Sequence, residues 1–213
     1  MTAAISETSR EALSILRDGS NFTWSSVTLL GLVFYVYAVE VERRRWDVVL
    51  AGLGFFLTDV FNELVNSAFF HISDRAPLWA VTGDTSFLVL IGWNVEIIFL
   101  FLITGIVFVK MLPPDPRMRI LGIPNRWLLA FLFSCLCVAV EIFLEWTGTF
   151  HWDYWWWDVP FVPLIVVFGY MTFFLVAAWV FDQRDMRGRL RIVGAIAAVD
   201  VVLAVSFGLA GWL

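Results

Sequence analysis

Charge is the scarce commodity in this chain. Charged residues make up 15% of its 213 positions, against about a quarter in an ordinary soluble domain. With 61% of positions apolar and a mean hydropathy of +0.83, there is too little polar surface to face water. That excludes a soluble globular enzyme and equally a disordered chain. Lys and Arg together number 14 against 19 Asp and Glu, a net charge of -5. No basic surface is left to hold nucleic acid. Two cysteines make no disulfide framework, and two histidines are too few for a His-rich metal site. The sole lysine, Lys110, falls at the end of an apolar run, so no retinal Schiff base is expected in the membrane core. A Gly-rich phosphate loop, a serine nucleophile elbow and a His-Glu-x-x-His zinc helix are all missing. So is the aspartate-rich pair that magnesium diphosphate chemistry needs.

What is present is hydrocarbon-length apolar sequence. A bilayer core of about 30 Å is crossed by about 20 apolar residues. Six such runs occur, at 22–38, 48–70, 87–109, 127–146, 160–181 and 192–213. The expected fold is all-α: a polytopic membrane bundle of about six helices in one domain over 22–213, preceded by a surface segment over 1–21. No cleavable leader is expected in that segment, because it is polar and mixed in charge. Thr8 to Glu11 fits a capping box, Gly19 suits a helix stop, and Leu13, Ile15 and Leu16 suggest a short amphipathic helix on the membrane surface.

The basic residues orient the bundle. Arg43, Arg44 and Arg45 follow the first run. Lys110, Arg117, Arg119 and Arg126 follow the third, and Arg184, Arg187, Arg189 and Arg191 the fifth. These eleven of the 14 fall on one side only if there are six spans. By the positive-inside rule that side is cytoplasmic, in a bacterial-type plasma membrane, and both termini lie outside.

An ionisable group within a span is costly and usually marks a function. Asp59 and Glu63, with Asn62 and Asn66, share one face of the second run at offsets 0, 3, 4 and 7. The third run carries Asn94 and Glu96, the fourth Glu141 and Glu145, and the sixth Asp200. Glu96, about nine residues into its run, should lie roughly 14 Å deep. Glu63, Glu96 and Glu141 are thus expected at overlapping depth on one polar pocket in the outer half of the membrane. Asp200 stands alone and reads better as helix-to-helix glue.

A carboxylic acid kept from water holds its proton more readily, and two carboxyl groups in unlike environments make a donor and an acceptor. In an apolar, aromatic-lined pocket this suits proton-initiated cyclisation, isomerisation or hydration of a hydrophobic isoprenoid or lipid. Aromatic faces stabilise the cations formed. Glu63 and Glu141 are the expected acid and base, tuned by Asp59 and Glu96, with Glu145 adjoining. Asn66, Asn94, Trp93, Trp146, Tyr154, Trp156, Asp158 and Tyr170 are expected around the substrate. Asp158 could equally cap the fifth helix. Trp24, Trp46, Trp79, Trp127 and Trp212 sit at run ends and read as an interfacial belt. The segment from His151 to Asp158, with its Trp155-Trp156-Trp157 run, is denser than a belt requires and reads as a lid.

Two short stretches resemble known enzymes. Val140-Glu141-Ile142-Phe143-Leu144-Glu145-Trp146-Thr147-Gly148, followed by His151, Tyr154, Asp158-Val159-Pro160 and Pro163, is similar to the central segment of membrane carotenoid hydratases. Phe61-Asn62-Glu63-Leu64-Val65 resembles the aromatic-and-Glu patch of integral-membrane terpene cyclases, which are metal-independent. The resemblance implies an isoprenoid-modifying membrane enzyme without a cofactor. Its partners would be a hydrophobic or lipid substrate and the surrounding membrane lipids.

Three other readings are open. Glu63, Glu96, Glu141, Glu145, His71 and His151 could ligate iron or manganese in a membrane oxidoreductase, although no Glu-x-x-His spacing occurs. Membrane carboxylates also relay protons in transporters. Six helices in so short a chain would then need a homo-oligomer to enclose a pathway. The chain could also serve as a subunit of a larger membrane complex. The Cys135-x-Cys137 pair reads as packing.

Overall fold

Apolar runs in this chain become helices because lipid offers no partner for backbone N–H and C=O groups. The computed structural model describes residues 5–213. Among the described residues there are seven helices. They are α1 (Glu7–Ile15), α2 (Trp24–Glu42), α3 (Trp46–Ser73), α4 (Val95–Met111), α5 (Asn125–Trp146), α6 (Val162–Phe181) and α7 (Met186–Ala210). Five of these, α2, α3, α5, α6 and α7, are long and apolar enough to cross a membrane. The all-α membrane bundle expected from the sequence is therefore the observed architecture.

The third apolar run differs from expectation. Its N-terminal part is an antiparallel hairpin of β2 (Leu88–Leu90) and β3 (Trp93–Asn94), after a first strand β1 (Trp79–Val81), and only then does the 17-residue α4 begin. A short continuous apolar stretch such as Leu88 to Ile91 suits a buried strand as well as a helix. Asn94 decides the boundary: its side chain accepts from the Ile97 backbone N–H at 2.8 Å and caps the helix.

α3 is the central post. It packs against α4, α6 and α7. Gly52 and Gly105 let α3 and α4 meet closely: a Cβ on Gly105 would come within 2.7 Å of the Phe55 Cβ and 3.0 Å of the Gly52 Cα. The core is aromatic: Phe55, Phe108 and Phe174 are fully buried, and Phe174 meets Phe55 tilted and Phe108 edge-on. α4 leans on α2, α3 and α6, and α5 leans on α6. Between α4 and α5 there is no extensive packing. α6 contains a π turn at Ile165–Tyr170, a widened i→i+5 segment that brings Ile165, Gly169 and Tyr170 to one side.

The three arginine-bearing connections share one end of the bundle. Lys110 pairs with the buried Glu40 and ties α4 to α2. Arg126 makes a two-pronged bond to Asp182, at 2.9 and 2.7 Å, and also donates to the Pro113 carbonyl at 2.7 Å. β4 (Arg119–Ile120) and β5 (Ile123–Pro124) form a small hairpin there.

The opposite end is a lid. β1 pairs with β6 (Phe150–Trp152) in antiparallel register, Trp79 against Trp152 and Val81 against Phe150. Gly148, at φ 76°, turns the chain out of α5 toward β6. α1 docks on this lid: Ser6 N–H donates to the Arg75 carbonyl, and Thr8 donates to the Asp153 carboxylate at 2.7–2.8 Å. Ser6, whose oxygen accepts from Ser9 N–H, is the N-cap in place of Thr8. The helix stops at Ile15, where Leu16 bridges to Leu88, and not at Gly19.

Candidate functional site

Faces of four helices, α3, α4, α5 and α6, meet one ribbon face beneath the lid. Asp59 and Glu63 of α3, Glu141 of α5 and Tyr170 of the π turn all line one cavity of about 400 Å³. Because strand residues alternate, Trp79, Phe150 and Trp152 all fall on one face of the β1–β6 ribbon and roof the cavity. Asn62, Cys137, Phe101 and Trp157 complete its inner wall.

Each carboxyl group has a specific donor. The Trp79 indole donates to Glu63 Oε1 at 2.8 Å, the Trp93 indole to Asp59 Oδ2 at 2.9 Å, and the Tyr170 hydroxyl to Glu141 Oε1 at 2.7 Å. The second oxygen of Glu63 and of Glu141 is buried and has no hydrogen-bond partner. Trp157 Nε1 is likewise unpartnered. One oxygen of each glutamate is thus fixed, and the other is left free in an apolar, aromatic space.

The residues expected around this centre divide. Asp59, Glu63, Glu141 and Tyr170 come together. Glu96 does not. With α4 starting at Val95, it sits in the first turn, where Thr85, the Ser86 N–H and Ser26 donate to its carboxylate at 2.6, 2.9 and 3.1 Å. It fastens the 82–87 segment to α2 and α4. Asn94 is the cap of α4. Asn66 is fully buried, and both ends of its amide serve backbone: Nδ2 donates to the Trp79 carbonyl and Oδ1 accepts from Leu78 N–H, each at 2.8 Å. It places Trp79, which in turn holds Glu63. Trp93 lies behind Asp59, stacked on Phe56.

Glu145 lies outside the cavity lining, and Trp146 is 82% exposed. Tyr154 donates to the Ala76 carbonyl at 3.0 Å and carries Arg75 over its ring, while Trp156 packs on Phe69 and Tyr154. These two are lid contacts. Asp158 does not cap α6, since Phe161 occupies the N-cap position without a side-chain bond. Asp200 is buried on α7, with both oxygens unpartnered.

Trp79 is the residue the sequence pattern misassigns: it reads as belt and is part of the roof. Trp152, Trp157, Asn62 and Cys137 are further cavity residues. The i, i+4 spacing of Cys137 and Glu141 is the signal that puts that pair on one face. The ligands of the metal reading are dispersed, with His71 stacked on Trp212 and His151 in β6. Among the described residues no group of three His, Cys, Asp or Glu side chains is placed to hold a metal ion.

Comparison with known proteins places the chain in a family. The model of a family described as "Uncharacterized membrane protein family" matches residues 6–209. An "Uncharacterized protein" of Archaeoglobus fulgidus is 42% identical over 208 residues, covering 97% of this chain and 99% of that one. A second "Uncharacterized protein" of the same organism, fully covered by the match, is 38% identical over 56 residues, or 26% of this chain. No solved structure matches. The chain therefore belongs to this membrane protein family.

Proposed function

We propose that this protein is an integral membrane enzyme that moves protons to and from a hydrophobic isoprenoid or other unsaturated lipid, with Glu63 and Glu141 as the acid–base pair. The observation that carries this reading is the pair of unpartnered buried glutamate oxygens in one aromatic-lined cavity. One carboxyl gives its proton to a double bond, whose electron pair forms the new C–H bond. The carbocation then loses a proton from a neighbouring carbon to the other carboxylate. Proton in and proton out balance on the substrate, and a proton passed back from the second carboxyl group to the first restores the pair, so isomerisation or cyclisation needs no oxidant and no cofactor, and hydration needs only water. Trp79, Trp157 and Phe101 offer ring faces to the cation. Asp59 adds a third carboxyl group beside the same space.

The test is a comparison of lipid extracts from cells with and without the protein, followed by turnover of the lipid that changes. Glu63→Gln and Glu141→Gln should each lower turnover by about 100-fold or more, the range of a positioned acid or base, with insertion and thermal stability retained. Full activity in either variant removes that residue from the mechanism. Ion flux in proteoliposomes that depends on these two glutamates would replace the enzyme reading with transport.

A further inference from the structure

The cavity has a mouth, and the mouth opens sideways. Leu100 and Val107 of α4 and Leu136 and Val140 of α5 line the cavity, yet all four are exposed, Leu136 at 62% and Val140 at 51%. A side chain does both only at a rim. The rim lies along the middle of two helices that touch only sparsely, with Phe108 of α4 edge-on to Phe133 of α5. At the lid end the β1–β6 ribbon covers the cavity.

The lining charge is one-sided. Three carboxyl groups reach the cavity, while Lys, Arg and His are missing from its described lining. An anion brought there would give up its water and meet three carboxyl groups with no cation to offset them, the unpartnered Trp157 indole being a neutral donor. A neutral or cationic group is the complementary partner. At about 30 Å³ for a water-sized group, the cavity has room for roughly a dozen carbon atoms. The remainder of a longer chain would trail through the mouth into the bilayer.

We infer that the cleft between α4 and α5 is the portal through which one hydrocarbon chain of a membrane-dissolved lipid reaches Asp59, Glu63 and Glu141, and that the site takes chains ending in an uncharged or cationic group and rejects phosphorylated ones. The fate of the bound chain rests on the acid–base reading, whereas binding itself stands on cavity shape and charge. The chemical class is an uncharged or cationic single-chain lipid, and its being an isoprenoid rests on the acid–base reading.

The experiment measures binding of farnesol, farnesylamine and farnesyl diphosphate to the full chain in nanodiscs, by native mass spectrometry. Farnesol and farnesylamine should bind at least about tenfold more tightly than the diphosphate, a difference of about 1.4 kcal/mol. Val140→Trp and Val107→Trp, one on each rim, should each weaken farnesol binding by a similar factor. Ile142→Trp, exposed on the side of α5 opposite Val140 and outside the cavity lining, should bind as the unaltered protein does. Diphosphate binding equal to that of the alcohol overturns the inference, as does farnesol binding that neither rim variant alters, or no farnesol binding at all. The two readings fail separately. If the chemistry is wrong, the binding pattern persists without turnover. If the portal is wrong, turnover persists while the rim variants bind normally.

Discussion

A methyl group at position 92 would reach into the centre of the site. A Cβ built on Gly92 lies 2.5 Å from Trp79 Cδ1 and Nε1 and 2.6 Å from the Asn66 amide nitrogen. These atoms hold the roof: Asn66 grips the backbone at 78–79, and the Trp79 indole grips Glu63. Gly92→Ala should therefore cost about 1–3 kcal/mol, as overpacking does, seen as a lower melting temperature in detergent. It should also lower activity by displacing the indole. Trp79→Phe isolates the hydrogen bond from the packing. It keeps an aromatic roof and removes the donor, leaving both buried Glu63 oxygens unpartnered, so stability should fall by about 1–3 kcal/mol, and turnover should fall because Glu63 is no longer oriented. If Trp79→Phe turns over at the wild-type rate, the indole is packing and nothing more.

Between elements, the pairing of α2 with α4 offers the cleanest measurement. Glu40 is fully buried, and Lys110 is its cation. Lys110 is itself partly exposed, so removing it leaves the buried Glu40 carboxyl without its donor at the solvent edge, at a cost of about 1–3 kcal/mol. Lys110→Met should show that loss in thermal unfolding. The double variant Lys110→Met with Glu40→Leu should recover most of it. Equal losses in the single and double variants would mean that the pair does not couple the helices. Long apolar runs declare their helices because hydropathy and length together leave few alternatives, and α3 and α5 begin and end within a few residues of expectation. The lid is opaque to that reasoning. Leu88 to Ile91 is as apolar as a span, and its strand pairing is not written in its own hydropathy. Placing the start of α4 at Val95 moves Glu96 from mid-membrane to a first turn, so one shifted boundary removes a carboxylate from the expected pocket. Asn66 and Asn94 stand out as polar residues in apolar surroundings, but the sequence does not reveal that their partners are backbone. Trp79 sits at the depth of an interfacial belt, and the same depth serves a roof.

Across the whole molecule, the two ends of the bundle are chemically unlike. The end bearing Arg43 to Arg45, Arg117 and Arg187 is cationic, and the other is closed by tryptophan-rich strands and by α1. Ile5 lies on the lid side, since Ser6 is bonded to Arg75. Trp212 lies there too, stacked on His71. Arginine-rich short loops remain on the cytoplasmic face during insertion, so the lid should face outward and the mouth between α4 and α5 should meet lipid rather than either solution. Single-cysteine variants read this directly, in a background where Cys135 and Cys137 are replaced by Ala. Met118→Cys, exposed in the basic α4–α5 connection, should react with a membrane-impermeant thiol reagent only after cells are opened. Thr147→Cys, exposed at the lid end of α5, should react in intact cells. A cysteine at Val140, on the rim, should react under neither condition and instead with a lipid-soluble maleimide. Reversed labelling of the first two would put the arginine loops outside. Water-phase labelling at Val140 would mean that the cavity opens to solvent, and a membrane-dissolved chain would no longer be the ligand its shape selects.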